Sequence, residues 1–85
     1  MTLDYSRGFK KDYKKLSKKL QKQFSDRAEI FRNDQFNPLL NNHLLHHPYK
    51  NCRSINISGD IRALYETNGD TIIFIRIGTH SELYS

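Results

Sequence analysis

Two short apolar runs, residues 61–65 (IRALY) and 71–77 (TIIFIRI), flank Asn68-Gly69. No other stretch constrains the fold as tightly. Ile, Tyr, Phe and Thr fit a pleated, half-buried surface, and Asn-Gly is a strong hairpin turn signal. The chain therefore predicts a β-hairpin in its last third, followed by a short polar tail that ends at Ser85. Arg62 and Arg76 lie inside the two strands. A cation there is costly unless one sheet face is open.

Side chains alternate faces along a strand. Ile73, Ile75 and Ile77 are expected on the core face, with Phe74, Arg76 and His80 opposite. Whether the two arginines share a face depends on the turn. A two-residue turn at Asn68-Gly69 would separate them. A three-residue loop, Thr67-Asn68-Gly69, would pair Glu66 with Asp70 and put both arginines on one side. The three-residue loop is preferred, because it leaves one apolar face for the core.

The rest of the chain has room for little else. Its 85 residues make one small domain, residues 1–85, and the apolar third suffices for one thin core. Residues 2–5 (TLDY) read as a first strand. Phe9, Tyr13, Leu16, Leu20, Phe24, Ala28 and Phe31 then recur at helical spacing, with lysines on the outer face. Ser6 is a cap for this stretch, and Ser17 offers a second one. One long helix to Arg32 or two helices broken near residues 16–18 both fit. A helical hairpin is preferred, because a lone helix buries its stripe less well. Residues 35–48 are irregular, with Leu39, Leu40, Leu44 and Leu45 as anchors. Residues 49–57 read as a strand with Arg53, Ile55 and Ile57 on one face, and Ser58-Gly59 as a turn. The expected fold is α+β, in the order β-α-α-β-β-β, with two helices on one face of a small, mostly antiparallel sheet.

Charge divides unevenly. Residues 1–32 carry ten Lys/Arg and four Asp/Glu, while residues 33–85 carry four and five. The basic half is either a solvated face or a surface for a polyanion or acidic partner. A single cysteine, Cys52, rules out an intrachain disulfide and fits a reducing compartment. There is no apolar run of signal-peptide or membrane-span length, so a cytoplasmic location away from the membrane is expected. His43, His46, His47 and Cys52 match no zinc spacing, and the four glycines form no phosphate loop. No metal or other cofactor is expected.

The remaining polar residues suit metal-free cleavage of RNA. A base must take the 2′-OH proton, cations must stabilise the crowded phosphorus, and an acid must protonate the leaving 5′-oxygen. Histidine titrates near neutrality, arginine forks onto phosphate oxygens, and an aromatic ring stacks an unpaired base. His43, Asp60, Arg62, Arg76, His80 and Tyr84 are candidates for these roles. Each has a plainer reading: His80 as a strand-end cap, Asp60 as a turn residue, Tyr84 as a core ring, Lys50 and Arg53 as solvated cations.

The segments GDIRALY and IRIGTHSELY, together with NNHLL upstream, resemble the RelE/ParE superfamily of bacterial toxin–antitoxin toxins, its YafQ-like branch above all. The helices match in length and pattern. The resemblance implies a metal-independent endoribonuclease that cuts mRNA on the ribosome, and a cognate antitoxin that neutralises it. The family's loop histidine falls on His43, its aspartate on Asp60, its last-strand arginine on Arg76, its histidine on His80 and its C-terminal aromatic on Tyr84. Arg62 resembles the strand arginine of the RelE branch. Asn56 stands where YafQ-like toxins carry a histidine, and Ile61 where they carry a tryptophan. An asparagine cannot shuttle a proton, so the acid–base work falls to His43 and His80, with His46 or His47 as substitutes.

On this reading His80 is the acid, His43 or Asp60 the base, and Arg62 and Arg76 hold the phosphate. Tyr84 stacks or orients a base. Lys50, Arg53 and the helical lysines would bind ribosomal RNA backbone. Two other readings share the fold: a ParE-like gyrase poison, and a non-catalytic RNA- or antitoxin-binding module.

Overall fold

The computed structural model describes residues 1–84; Ser85, the end of the expected polar tail, lies outside the described residues. Strand β1 (Thr2–Tyr5) leads into helices α1 (Arg7–Lys14) and α2 (Lys18–Asn33). A 3-10 turn (Pro38–Leu40) and a two-residue strand β2 (His43–Leu44) follow. Strands β3 (Arg53–Ser58), β4 (Ile61–Asn68) and β5 (Thr71–Thr79) run into a short helix α3 (His80–Tyr84). The sheet order is β1-β5-β4-β3-β2, antiparallel throughout except for the parallel β1–β5 pair. The expected β-α-α-β-β-β order therefore holds, with β2 added at one edge and α3 formed within the expected short polar tail. None of the helices among the described residues is long and apolar enough to cross a membrane.

The helical break falls where Ser17 offered it. Ser6 and Ser17 both cap, accepting hydrogen bonds from Phe9 N (3.1 Å) and Leu20 N (3.2 Å). Ser6 also donates to the carbonyl of Ile75 (3.0 Å), which fixes the start of α1 against β5. Phe9, Phe24, Ala28 and Phe31 are buried, as their spacing predicts. They meet Ile55, Ile57, Ala63, Tyr65, Ile72, Phe74 and Ile77 from the sheet. Phe74 sits at the centre, its ring within 6 Å of those of Tyr5, Phe9, Phe24, Phe31 and Tyr65.

The hairpin differs from expectation in its turn. Asn68 pairs with Thr71, so the turn is the two residues Gly69-Asp70, with Gly69 left-handed at φ 61°. The three-residue loop does not form. Parity is restored further along, because Tyr65 pairs with Phe74 while Leu64 pairs with Arg76. Ile75 is thus the extra residue of a β-bulge. Before the bulge, Ile72 and Phe74 face the helices; after it, Ile77 does. Ile73 and Ile75 do not share the core face with Ile77, contrary to simple alternation, and Ile75 packs on the opposite side. Likewise residues 49–52 form a turn rather than strand, and the following turn is Gly59-Asp60, one residue later than expected.

Candidate active face

The bulge puts Arg62 and Arg76 on the sheet face that the helices leave open. Cross-strand partners share a face, and the register gives two rows there. One runs His43, Ser54, Leu64, Arg76; the next runs Asn56, Arg62, Gly78. Leu45, Cys52, Leu64 and Leu83 form a small second core on this side, joined by Tyr49, Ile75 and Tyr84.

Each arginine is held in place by a side chain. Arg62 donates through Nη1 to Oδ1 of Asn56, its cross-strand partner. Arg76 donates through Nε to Oδ2 of Asp12 (2.6 Å) and, at a longer 3.4 Å, through Nη2 to Oδ1. The same carboxylate accepts from the backbone N–H of Ile77 (3.1 Å). This partly buried pairing with Asp12 raises the pKa of Arg76. Nη1 of Arg76 lies 3.4 Å from the hydroxyl of Tyr49. Three of the five guanidinium N–H groups are thereby occupied. One remains on each terminal nitrogen, open to a phosphate oxygen.

Helix α3 brings the last two candidates alongside. Thr79 and Glu82 form a capping box: Thr79 N donates to Glu82 Oε1 (2.8 Å), and Glu82 N to Thr79 Oγ1 (3.1 Å). His80 and Tyr84 then lie one helical turn apart, with rings stacked at 4.6 Å and 26°. Tyr84 also meets Tyr49 edge-on at 5.2 Å. Burial raises the Tyr84 pKa and nearby Tyr49 adds to this, while Arg62 opposes it. The phenol therefore stays neutral beside the guanidinium.

The other candidates lie further out. Ile61 pairs with Thr79, so Asp60, one residue earlier, leaves the sheet at the same end as His80, and both are exposed. His43 is exposed on β2 at the opposite edge of the open face. Its Nδ1 is 2.8 Å from the carbonyl oxygen of Asn41. A carbonyl only accepts, so Nδ1 is the donor, and in the neutral ring Nε2 is the nitrogen that can take a proton. Three inter-strand steps separate His43 from Arg76, about 14 Å between backbones. Lys50 is exposed in the turn after Tyr49. Arg53 is on the other face: it pairs with Tyr65, donates to Asn42 Oδ1 (2.8 Å) and lies over the Phe36 ring at 5.3 Å. The open face thus gathers Arg62, Arg76, His80 and Tyr84, with Asp60 at one end, His43 at the far rim, and Arg53 excluded. Among the described residues, no three His, Cys, Asp or Glu side chains are placed to hold a metal ion.

Asp12 and Tyr49 escaped the sequence reading. Asp12 left a trace: with Phe9 at i−3 and Tyr13 and Leu16 beyond, it lies on the apolar stripe of α1, an odd place for a carboxylate. Tyr49 left none, because nothing in a turn residue announces a distant hydrogen-bond partner.

The helix side carries a different feature. A groove of about 540 Å³ between β1, α1 and α2 has a floor that includes Tyr5, Phe9 and Phe24, with Lys10, Lys14 and Arg32 also lining it.

The family model described as the bacterial toxin of type II toxin-antitoxin system, YafQ, matches residues 1–85. Among solved structures, YafQ from E. coli strain BL21(DE3) is similar at 22% identity and TM-score 0.83, covering 98% of this chain and 97% of that one. A YoeB/ParE toxin from Agrobacterium tumefaciens is similar at 18% identity and TM-score 0.78, covering 94% and 99%. The E. coli DinJ-YafQ toxin-antitoxin complex contains a chain similar at 22% identity and TM-score 0.79, covering 98% and 96%. No curated protein sequence matches the chain.

Proposed function

The chain belongs to the YafQ family of type II toxin-antitoxin toxins, and from that premise we propose that it is a metal-independent endoribonuclease that cuts mRNA on the ribosome in the cytoplasm. The observation that carries this reading is the convergence of Arg62, Arg76, His80 and Tyr84 on one open face, with one N–H on each terminal nitrogen of Arg76 left over.

A phosphodiester lying across this face meets two guanidinium groups, which stabilise the charge that grows on phosphorus during in-line attack. His80, as imidazolium, protonates the leaving 5′-oxygen. Its stacking on Tyr84 aims the ring, and Tyr84 offers its free edge or face to a flanking base. The base is His43 or Asp60. His43 fits better, because acid and base must approach from opposite sides of the phosphate and its Nε2 is unoccupied. Asn56, in place of a family histidine, acts by orienting Arg62 and takes no proton. Lys50 and the lysines of α1 and α2 bind ribosomal RNA backbone non-specifically. Arg53, engaged by Asn42 and Phe36, serves the fold.

The cognate partner is an antitoxin. Lysines beside an aromatic floor suit an acidic, amphipathic segment that folds as it binds, and the groove between α1 and α2 offers such a surface.

The test is induction of the chain in bacteria, alone and as the Arg76→Ala/His80→Ala double variant, with mRNA 5′ ends mapped. Growth arrest with new in-frame cuts, absent in the double variant, is the expected result. Arrest without mRNA cuts would turn the assignment to gyrase. A folded protein that arrests nothing would make it a non-catalytic binding module.

A further inference from the structure

The five residues of α3 are too few for a stable helix on their own, yet they carry His80 and Tyr84. The capping box of Thr79 and Glu82 secures the N-terminal end. At the other end the last carbonyls of a helix have no internal partner. Here the hydroxyl of Tyr49 donates to the carbonyl of Leu83. The same oxygen faces Nη1 of Arg76, and the Tyr49 ring supports Tyr84 edge-on. Tyr49 lies in a turn far from both in sequence, closed by hydrogen bonds from Tyr49 N to His46 O (2.8 Å) and from Cys52 N to Tyr49 O (3.0 Å).

We infer that Tyr49 is a positioning residue for the reaction: one phenol fixes α3, and through it His80 and Tyr84, relative to Arg76. The inference rests on the endoribonuclease reading above. It assigns Tyr49 no proton transfer, because its own proton is committed to Leu83. Its work is to hold acid and phosphate clamp at one separation. Misplacement of a reacting group by about 1 Å can cost about 100-fold in rate. Arg76 and Tyr84 also touch substrate, but Arg62 and the lysines bind it without this link and hold most of the ground-state affinity.

Steady-state cleavage of mRNA on programmed ribosomes tests it, using the wild-type chain, Tyr49→Phe, a chain with p-aminophenylalanine at position 49, and His80→Ala. Tyr49→Phe keeps the ring and the Tyr84 contact but loses the hydroxyl. The expected result is a fall in kcat of about 10-fold or more with KM within about twofold, at a thermal midpoint close to wild type. The p-amino group donates to the Leu83 carbonyl in the hydroxyl's place, so that chain recovers to within about threefold of wild type. Wild-type kcat in Tyr49→Phe overturns the role. So does a loss that appears only in KM, or a fall that the p-amino chain fails to reverse. If wild type does not cleave at all, the endoribonuclease reading itself fails. If wild type cleaves, His80→Ala does not and Tyr49→Phe matches wild type, only the role of Tyr49 fails.

Discussion

Arg62 and Asn56 sit directly opposite one another on β4 and β3, and the guanidinium donates to the amide oxygen across the strand gap. Asn56, which stands where the resemblance implies a histidine, is therefore tied to the arginine proposed to hold the phosphate. Asn56→Ala is expected to lower cleavage by up to about 100-fold through loss of Arg62 aim, with the fold intact. Single-turnover rates beside a thermal melt check it. Full activity would show that Arg62 needs no such guide.

Asp12 should matter twice. Asp12→Ala leaves Arg76 without its carboxylate and the Ile77 N–H without an acceptor. For a partly buried pair the cost is about 1–3 kcal/mol, which lowers the melting temperature by several degrees in a domain of this size. Cleavage should fall as well. Asp12→Asn, which keeps one acceptor oxygen, should lose less stability than the alanine variant. Equal melting temperatures for all three proteins would contradict this.

Phe74 is the keystone of the helix-side core. Phe74→Ala is expected to cost about 3–5 kcal/mol and to lower the melting temperature by more than about 12 °C. Circular dichroism melts decide it. A drop of only a few degrees would mean that the aromatic cluster collapses into the space.

Arg53 provides the contrast. Arg53→Ala removes the Asn42 bond and the contact over Phe36, worth about 1 kcal/mol, so it should melt slightly earlier. Its cleavage should stay within about threefold of wild type, because the side chain faces away from the open face. A large loss of cleavage with unchanged stability would return Arg53 to RNA binding.

Alkaline pH should loosen the fold. Burial raises the Cys52 thiol and the phenols of Tyr65, Tyr5 and Tyr84 above their ordinary values. All four are neutral when protonated, and the folded state holds those protons longer than the unfolded chain. Their contribution is thus complete below the unfolded pKa values, about 8.5 for Cys and 10 for Tyr, and is lost as pH climbs through the higher folded ones. Urea midpoints should hold from pH 7 to about 8.5 and fall beyond it. A profile flat to pH 11 would refute the shifts.

The sequence carried the architecture because its signals were strong and local. Ser6 and Ser17 announced both helix starts, and the aromatic stripe announced the core. The shared face of Arg62 and Arg76 was also legible, though for the wrong local reason: the bulge at Ile75, not the turn, sets it. A bulge depends on how two strands settle against the helices, and residues 71–77 contain no Gly or Pro to mark it. The core identity of Phe74 was lost for the same reason, since alternation counted through an unseen extra residue gives the wrong side. Tyr49 and Asp12 act on residues 34 and 64 positions away, beyond the reach of any spacing rule.

The parallel pairing of β1 with β5 also orders how this fold can assemble. Ser6 reaches across 69 positions to Ile75, so among the described residues the first strand has no strand partner until β5 has been synthesised. The helices are made before the strands that cover their aromatic stripe, and the two arginines, His80 and Tyr84 all follow them in the chain. A chain that stops short of β5 lacks the open face. On the proposed function, activity therefore waits for β5 and α3, while the earlier helices offer an antitoxin its first surface to bind.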